Sequence, residues 1–442
     1  MTLARAVAFA SIVCGASHAH QLDDTRTGPG NERLVSWSRF HFALDNSGFN
    51  PHERRLSPVN VARLVPVWTF DAVWAYGSPV VTRGRVFVGT GKGYFYVLDE
   101  LTGSALDVFD VGQNSYRCGV ASAAAIDGDL LFVQGAQGAL IAYDYVLGRV
   151  VWWAAPPEAD VAGLSSPAVF DGKVYHGISN GNEYSRCNVG RIQCYDEYSG
   201  ALVWNTDMVP PGYTGGGVWS SVAVDATRRL VIAGADNPNN GSLHCSGLPC
   251  DLPGDYTDSI VALDADTGAV VWSFQILACD SQELGFGYSS VVLFNDGTRD
   301  LAGAGSKTGW FHAVDRNTGQ LAWSVDLGYG GIWSSAAFAY GKLFLNPGTA
   351  NPGVAVALDA RDGSLVWSQP SANRVYGGPA VANGLVFTGL GRSIAALDQR
   401  TGRVLWSYDM GSPIYSNPAV VNGCLYVVSR YGLIRKFALR ED

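Results

Sequence analysis

The chain has 442 residues, of which 47% are hydrophobic and 16% charged, with 54 glycines and a formal net charge of -9. A composition so rich in glycine and poor in charge suits a turn-rich all-β body, and without a basic cluster we expect no nucleic-acid partner. The length exceeds that of one ordinary domain. A repeat protein grows by adding repeats, however, so the length does not require a second domain.

The N-terminus has the pattern of an export signal. Arg5 precedes an apolar run from Ala6 to Ala16, and a small-x-small site follows at Ser17-His18-Ala19. The run is too short to cross a membrane. We therefore predict a signal peptide over 1–19, a single domain over 20–442, no membrane span, and a secreted or periplasmic location.

A short sequence motif recurs along the chain: an apolar strand, an aspartate, a turn ending in Thr-Gly or a close variant, and a strand with a tryptophan. The clearest copy runs from Ala262 through Asp264 and Gly268 to Trp272. Its aspartate can accept backbone N–H bonds in the turn, and its glycine supplies the positive φ that closes the hairpin. The aspartates of the copies are Asp99, Asp144, Asp196, Asp264, Asp315, Asp359 and Asp398.

These copies lie roughly 40–70 residues apart, which is typical of four-stranded blades with their loops. The last strand, Lys436 to Leu439, has no partner after it, and the first aromatic strand, Leu64 to Trp68, has no aspartate turn before it. We predict an all-β eight-bladed β-propeller of four-stranded antiparallel blades, closed by the N-terminal strand in the last blade. The repeated indoles are expected to pack between blades.

The cysteines give a limited prediction. Loss of Cys14 with the signal leaves seven, an odd number in an oxidising location, so we expect one free thiol. Cys245 with Cys250 and Cys187 with Cys194 are local candidates for disulfides, and the sequence assigns neither pair. Zinc is disfavoured because no two cysteines have the two-residue spacing of zinc sites.

The long interval between Asp196 and Asp264 breaks the regular spacing, and irregular loops are where a repeat protein carries function. Consecutive glycines lead to Trp219, outside the repeated tryptophan position. A polar turn after the next apolar strand contains Asn237. Each has a plainer interpretation, Trp219 as one more core residue and Asn237 as a turn residue before proline.

Two charged residues stand in similar irregular places. Glu183 ends a polar loop in the blade before Trp219, and Lys307 lies between glycines in the blade after it. Either alone would be taken as a solvated charge. Together with Trp219 and Asn237 they form a set whose residue types suit a cofactor site.

The chain resembles the eight-bladed pyrroloquinoline quinone (PQQ) propellers of the quinoprotein alcohol dehydrogenases, and is most similar to the polyvinyl-alcohol-dehydrogenase-like branch. The segment from Asn50 to Trp68 resembles the first segment of that branch, and residues 172–183 resemble its third-blade loop. The motif Asp-x-x-Thr-Gly-x-x-x-Trp is specific for PQQ-type propellers. Non-catalytic scaffold proteins are built from the same repeat.

The resemblance implies roles for five residues. Trp219 is similar to the indole that forms the floor under the planar quinone, where stacking contributes about 1 kcal/mol beyond area burial. Glu183 and Asn237 resemble the oxygen ligands of a calcium ion that acts as a Lewis acid on the quinone. Lys307 resembles the cation facing the quinone oxygens, and Arg117 could hold a cofactor carboxylate.

One departure from the family concerns the general base. The family has an aspartate in an Asp-Phe-Gly-like stretch, which removes the alcohol proton as hydride leaves. Here the stretch reads Gly285-Phe286-Gly287, with Gly285 in place of the carboxylate. Glu283 is the expected surrogate base, and Asp280 is a more distant possibility.

The leading hypothesis is an exported quinoprotein that oxidises a small or polymeric alcohol with PQQ and calcium. Because the sequence contains no Cys-x-x-Cys-His haem motif, electrons are expected to pass to an external acceptor. The first alternative is a non-catalytic propeller that serves as a binding or scaffold module. The second is a cofactor-free tailoring enzyme using the same central pocket.

Overall fold

The computed structural model describes residues 34–72, 74–75, 77–112, 122–135, 138–155, 164–179, 188–238, 248, 252–278, 280, 282, 284–348 and 351–440. The predicted signal peptide and its cleavage site lie outside these ranges. Within them the chain forms eight antiparallel four-stranded blades, as the sequence predicts, and one short 3₁₀ helix at Val61–Arg63. The short strand Phe49–Asn50 adds a fifth, parallel strand to one blade, beside Ala380–Ala382. In the described part of the chain, no helix combines the length and apolarity needed to cross a bilayer.

Blades 1 to 8 are numbered in chain order, and the first strand of each is the innermost, because the first strands of neighbouring blades contact one another. The strands of blades 1 to 4 are Val80–Thr82, Arg85–Gly89, Tyr94–Asp99 and Ala105–Asp110; Ala125–Asp127, Leu130–Gln134, Leu140–Asp144 and Arg149–Ala154; Ala168–Phe170, Lys173–Ile178, Arg191–Asp196 and Leu202–Asp207; Ala223–Asp225, Leu230–Ala235, Ser259–Asp264 and Val270–Gln275. Those of blades 5 to 8 are Val292–Asn295, Asp300–Gly305, Trp310–Asp315 and Leu321–Asp326; Ala337–Ala339, Lys342–Leu345, Gly353–Asp359 and Leu365–Ser371; Ala380–Ala382, Leu385–Leu390, Ser393–Asp398 and Val404–Asp409; Ala419–Val421, Cys424–Val428, Leu433–Leu439 and Leu64–Asp71.

The ring closes in blade 8, where the N-terminal strand Leu64–Asp71 pairs antiparallel with Leu433–Leu439. Leu64 faces Leu439 and Asp71 faces Leu433 across this pair. The prediction of an N-terminal closing strand is confirmed. Pairing the two ends of the chain removes the open sheet edge that an unclosed stack would present.

Neighbouring blades are joined by contacts between the turn of the repeated motif and the tryptophan of the preceding blade. The Asp264 carboxylate accepts the backbone N–H of Thr267 at 2.8 Å, and Gly268 has a φ of 73°. A Cβ on Gly268 would lie 2.6 Å from the indole of Trp204 in the preceding blade, so only glycine admits that ring. The Trp204 Nε1–H then donates to the Ala265 carbonyl at 3.1 Å.

The same joint recurs around the ring. The indole N–H groups donate to backbone carbonyls in six further pairs: Trp68 to Glu100, Trp152 to Glu197, Trp272 to Arg316, Trp323 to Ala360, Trp367 to Gln399 and Trp406 to Leu64. The last acceptor belongs to the closing strand, because blade 8 has no aspartate turn. The expected packing of the repeated indoles between blades is therefore confirmed.

Residues 37–50, here called the axial segment, touch the innermost strand of every blade. Their partners are Val81 with Trp37, Ile126 with Ser38, Val169 with Arg39, Val224 with Leu44, Leu293 with Asp45, Phe338 with Ser47, Val381 with Gly48 and Val420 with Asn50. A segment in contact with all eight innermost strands must lie on the propeller axis. It supplies hydrogen-bond partners to backbone groups at these inner edges.

Two cysteines of the described part have free thiols. Cys194 lies on the third strand of blade 3 and is buried against the core, and burial raises the pKa of its thiol to about 12. Cys424 on the second strand of blade 8 is also free. The candidate pair of Cys194 with Cys187 is therefore wrong, as is the expectation of one free thiol, because both thiols pack into blade interiors.

Candidate functional site

Five aromatic side chains form an arc around the propeller axis. Each precedes the innermost strand of its blade by the same spacing, and they are Trp219, Tyr288, Trp333, Tyr376 and Tyr415 in blades 4 to 8. Their ring centroids follow one another at 5.8, 5.0, 6.0 and 4.5 Å. Trp219 thus belongs to a second repeat, which the sequence analysis missed although its spacing could have revealed it.

A belt of side-chain oxygens runs beside the aromatic arc, two residues further along each blade. The Ser166 N–H donates to the Ser221 hydroxyl at 3.0 Å, and the Ser221 N–H donates to the Ser290 hydroxyl at 2.9 Å. Ser290 donates in the same way to Ser335 at 3.0 Å. Each bond joins neighbouring blades, so the belt holds the wall of the axis in register.

The arc and the belt enclose a cavity of about 430 Å³ on the axis. It is lined by Phe40, Ser78, Leu164, Ser166, Trp219, Ser220, Ser221, Tyr288, Ser290, Trp333, Ser335, Tyr376, Tyr415 and Asn417. Phe40 comes from the axial segment. Because these side chains are apolar, aromatic or neutral and polar, the cavity suits a small organic molecule with a flat face.

The glycines before Trp219 bring it close to the turn that contains Asn237. Gly216 donates its N–H to the Asn237 carbonyl at 3.0 Å, and Asp236 donates to the Gly217 carbonyl at 3.0 Å. The Trp219 side chain is only 9% exposed, and its buried Nε1 has no hydrogen-bond partner among the described residues. The sequence expectation that Trp219 and Asn237 belong to one site is consistent with this pairing.

Lys307 reaches the same turn from blade 5. Its Nζ lies 2.7 Å from Asp236 Oδ2 and 3.3 Å from Asn237 Oδ1. Its backbone N–H donates to the Gly285 carbonyl at 2.9 Å. A Cβ on Gly287, the residue before Tyr288 of the arc, would lie 2.6 Å from Lys307 Cε. The structure therefore brings Lys307 and Asn237 into contact next to the aromatic arc.

Position 285 faces two buried carboxylates. A Cβ on Gly285 would lie 2.3 Å from Asp258 Oδ1 and 2.7 Å from Asp236 Oδ1. Asp258 is fully buried, and burial, reinforced by Asp236 and Asp280, raises the pKa of its carboxyl to about 9, although Lys307 opposes this. The Asp236 Oδ1 atom and both carboxylate oxygens of Asp258 have no hydrogen-bond partner among the described residues.

Sequence reasoning missed Asp258. It precedes a regular strand, and aspartates before strands are common turn residues, so the sequence gives it no special weight. The possible role of Asp280 as a base also finds a simpler explanation. Its carboxylate accepts the N–H groups of Gln282 and Leu284, which shapes the loop leading to Gly285.

Glu183, Arg117 and Glu283 lie outside the described residues. Among the residues that are described, no three His, Cys, Asp or Glu side chains are arranged to hold a metal ion. The donors that are present fit a hard cation, because the Asn237 amide oxygen lies beside buried carboxylate oxygens that lack partners. The flat ring faces of the arc fit a planar cofactor.

The chain matches two protein-family models. Residues 37–329 match the model of the glucose/ethanol/alcohol dehydrogenase β-propeller domain, a PQQ family. Residues 307–434 match the model of the outer membrane protein assembly factor BamB. The first match covers more than half of the chain.

Curated relatives include several dehydrogenases. The polyvinylalcohol dehydrogenase of Sphingopyxis sp. (strain 113P3) is 26% identical over 395 residues, which cover 75% of this chain and 58% of that protein. The quinoprotein alcohol dehydrogenase PedH of Pseudomonas putida is 25% identical over 368 residues, covering 71% and 59% respectively. The chain thus spans about three fifths of the length of these relatives.

Solved structures share the fold. The quinohemoprotein alcohol dehydrogenase ADHIIG of Pseudomonas putida HK5 has a TM-score of 0.80 at 19% identity, covering 91% of this chain and 80% of that one. A europium-containing methanol dehydrogenase has the same TM-score and identity and covers 91% and 98%. BamB from Moraxella catarrhalis reaches a TM-score of 0.63 at 19% identity, covering 85% and 99%.

Proposed function

We propose, since the chain belongs to the PQQ family of glucose, ethanol and alcohol dehydrogenase β-propellers, that it oxidises an alcohol with bound PQQ. The protein would act outside the cytoplasm with calcium at the site and would pass electrons to an external acceptor. The substrate class is a small or polymeric alcohol, since relatives include enzymes named for polyvinyl alcohol and for ethanol.

One observation carries the proposal: the axial cavity has Trp219 in its wall, and the Lys307 ammonium meets the Asn237 amide behind that wall, against Gly287, which precedes the lining residue Tyr288. An indole face and a mostly buried cation suit a planar anionic quinone. The cavity is also large enough for a cofactor of this size. Because the axial segment contacts every innermost strand, a ligand would enter from the opposite end of the ring.

The residues divide the work as follows. Trp219 would stack on the cofactor plane and fix its orientation. Lys307, held by Asp236 at 2.7 Å, would present its ammonium to the negative charge that develops on the quinone oxygens. Asn237, together with Glu183, would supply oxygen ligands to calcium, and Arg117 would bind a cofactor carboxylate. Bound PQQ would supply the chemistry of hydride acceptance.

The proton of the alcohol needs a separate acceptor. Glu283 remains the predicted base, since it lies two residues before Gly285 in the chain. A carboxylate side chain at position 285 itself is sterically opposed by Asp258 and Asp236.

Reconstitution tests the proposal. The purified protein would be incubated with PQQ and Ca²⁺, and dye reduction would be followed with a panel of primary, secondary and polymeric alcohols. We expect a cofactor-dependent absorbance change and turnover with at least one alcohol. Absence of both would reject the proposal.

A matched pair of tryptophan variants locates the binding. Trp219→Ala should weaken PQQ binding at least about tenfold, because loss of stacking of about 1 kcal/mol adds to the loss of buried area. Trp153→Ala is the control, since this indole is half exposed on the outer strand of blade 2. Equal PQQ affinity in the two variants would contradict the assigned role of Trp219.

A second function is favoured by position 285. Because Gly285 has no carboxylate and its neighbours leave no room for one, the second candidate is a binding or scaffold propeller that has lost catalysis. Binding of PQQ without turnover on any alcohol would support this candidate. The cofactor-free tailoring enzyme of the sequence analysis has no comparable observation in its favour.

A further inference from the structure

Two buried carboxylates point toward the space that a side chain at position 285 would occupy. Asp258 Oδ1 and Asp236 Oδ1 lie 2.3 and 2.7 Å from the position of a Gly285 Cβ. Both side chains belong to blade 4, one at the end of its second strand and one at the start of its third. Their backbones are joined by a hydrogen bond from the Asp258 N–H to the Asp236 carbonyl at 3.1 Å.

We propose that Asp236 and Asp258 are ligands of a hard divalent cation at the wall of blade 4, with the Asn237 side-chain oxygen as a third donor. The inference rests on the proposed function only in placing this cation beside the cofactor. Cation binding itself requires no PQQ, so the two can fail separately.

The first support is that buried carboxylate oxygens of Asp236 and Asp258 lack hydrogen-bond partners among the described residues. Asp258 is fully buried and Asp236 is 1% exposed, yet both oxygens of Asp258 and one of Asp236 have no hydrogen-bond partner among the described residues. A buried carboxylate oxygen without a partner is strongly destabilising. Such oxygens are therefore expected to bind either a proton or a cation.

The second support is the charge balance. The Lys307 ammonium is directed at Asp236 Oδ2, at 2.7 Å, and at the Asn237 amide, at 3.3 Å. One ammonium beside two carboxylates leaves a negative excess that favours a further positive charge.

The third support is the type of donor. Calcium takes six to eight oxygen ligands from carboxylates, amide or backbone carbonyls and water, in flexible geometry. Asp236, Asp258 and Asn237 supply two carboxylates and one amide from a single blade, and water would complete the shell. Glycine at 285 leaves these carboxylates the space that a side chain would fill.

The experiment uses the full chain after treatment with EDTA and dialysis, without PQQ. Calcium binding is measured by isothermal titration calorimetry, and terbium luminescence is excited through the indoles, of which Trp219 and Trp272 are nearest along the chain to Asp236 and Asp258. We expect one site in the wild type and at least a tenfold loss of affinity in Asp258→Asn. Asp326→Asn, which changes an exposed carboxylate of blade 5, should bind calcium as the wild type does.

Thermal unfolding separates loss of a ligand from loss of the fold. Calcium should raise the melting temperature of the wild type and of Asp326→Asn, but not that of Asp258→Asn. In EDTA, Asp258→Asn should melt no lower than the wild type, because the substitution replaces a buried carboxyl group, whose oxygens have no hydrogen-bond partner among the described residues, by a neutral amide of similar shape.

The inference is overturned if the wild type binds no calcium, or if Asp258→Asn binds it as tightly as the wild type. Calcium binding through Asp258 in a protein that never binds PQQ would reject the proposed function and leave this inference intact. If the protein oxidises an alcohol with PQQ while Asp258→Asn binds calcium and terbium as tightly as the wild type, the proposed function stands and this inference fails.

Discussion

Gly285 illustrates how a single missing side chain shapes this site. A methyl group there would lie 2.3 Å from Asp258 Oδ1, so Gly285→Ala forces the carboxylate or the backbone to move. We expect a loss of about 1–3 kcal/mol in the free energy of unfolding, the usual cost of overpacking. Urea denaturation measures it, with Gly389→Ala as control, since the Cβ there would have 3.2 Å to its nearest neighbour.

The cause of that loss can be assigned with a double substitution. If the clash with Asp258 is responsible, Asp258→Ala combined with Gly285→Ala should restore a large part of the lost stability. Additive losses in the double variant would show that the strain lies elsewhere. The same contact implies that Gly285→Asp alone would not rebuild a catalytic carboxylate.

The sequence predicts a site residue where that residue interrupts the repeat or lies among glycines. Trp219, Asn237 and Lys307 were identified because each breaks the repeat or stands among glycines, and Lys307 and Asn237 do meet. Asp258 stands in an ordinary turn before a strand, and its importance comes from burial and from a glycine 27 positions away. Such a contact has no signature in the local sequence.

At the scale of elements, the contact between neighbouring blades requires a glycine at one position of each aspartate turn. A Cβ on Gly268 would lie 2.6 Å from the Trp204 ring, and the residue has a φ of 73°. We expect Gly268→Ala to cost about 2–4 kcal/mol of unfolding free energy, since overpacking and left-handed strain both contribute. Chemical denaturation is the measurement.

A suitable control is Gly172→Ala. Gly172 also has a positive φ, of 72°, but a Cβ there meets nothing within 4 Å. Its loss therefore measures the backbone strain alone. If the two variants lose the same stability, the contact between the turn and the preceding indole contributes little.

The axial segment contributes a pH dependence through His41. Burial lowers the pKa of this imidazole to about 4, from 6.5, although its contact with the Asn46 carbonyl at 3.2 Å opposes the shift. Because the unfolded chain takes up the proton first, stability is complete above pH 6.5 and falls as the pH drops toward 4. The shift corresponds to a loss on the order of 3 kcal/mol.

Melting curves between pH 7 and 4 test this expectation by comparing the wild type with His41→Gln. The variant should lose less stability on acidification, although buried His176 and His312, whose pKa values are also lowered by burial, leave part of the slope in place. His52→Gln changes an exposed histidine whose pKa is lowered only by partial burial and by nearby Arg54, so it should alter the slope less than His41→Gln does. An unchanged slope in His41→Gln would contradict the assignment.

The elements divide clearly into those that the sequence predicts and those that it does not. The aspartate turns and their tryptophans repeat, so each copy reinforces the others, and the structure confirms the joints that they form. The axial segment occurs once and satisfies eight different strands through backbone atoms as well as side chains. Its residues need no common pattern, so periodicity cannot reveal it.

At the scale of the whole molecule, closure gives the interface between blades 8 and 1 the same construction as an interface within the ring. The Nε1–H of Trp68, in the closing strand, donates to the Glu100 carbonyl at 3.0 Å. The Nε1–H of Trp272, in blade 4, donates to the Arg316 carbonyl at 2.9 Å. Both indoles are less than one tenth exposed and both pack on a turn glycine. The two joints are therefore built alike although one of them involves the strand that closes the ring.

Trp68→Ala and Trp272→Ala should consequently lose similar stability, about 3–5 kcal/mol each, as expected for truncation of a buried tryptophan. In an open stack of repeats the terminal interface can unfold by itself, and a change there would cost less than one in the middle. Equilibrium denaturation followed by tryptophan fluorescence and by circular dichroism distinguishes the two cases. A much smaller loss for Trp68→Ala, with an early separate transition, would mean that blade 8 opens before the other blades unfold.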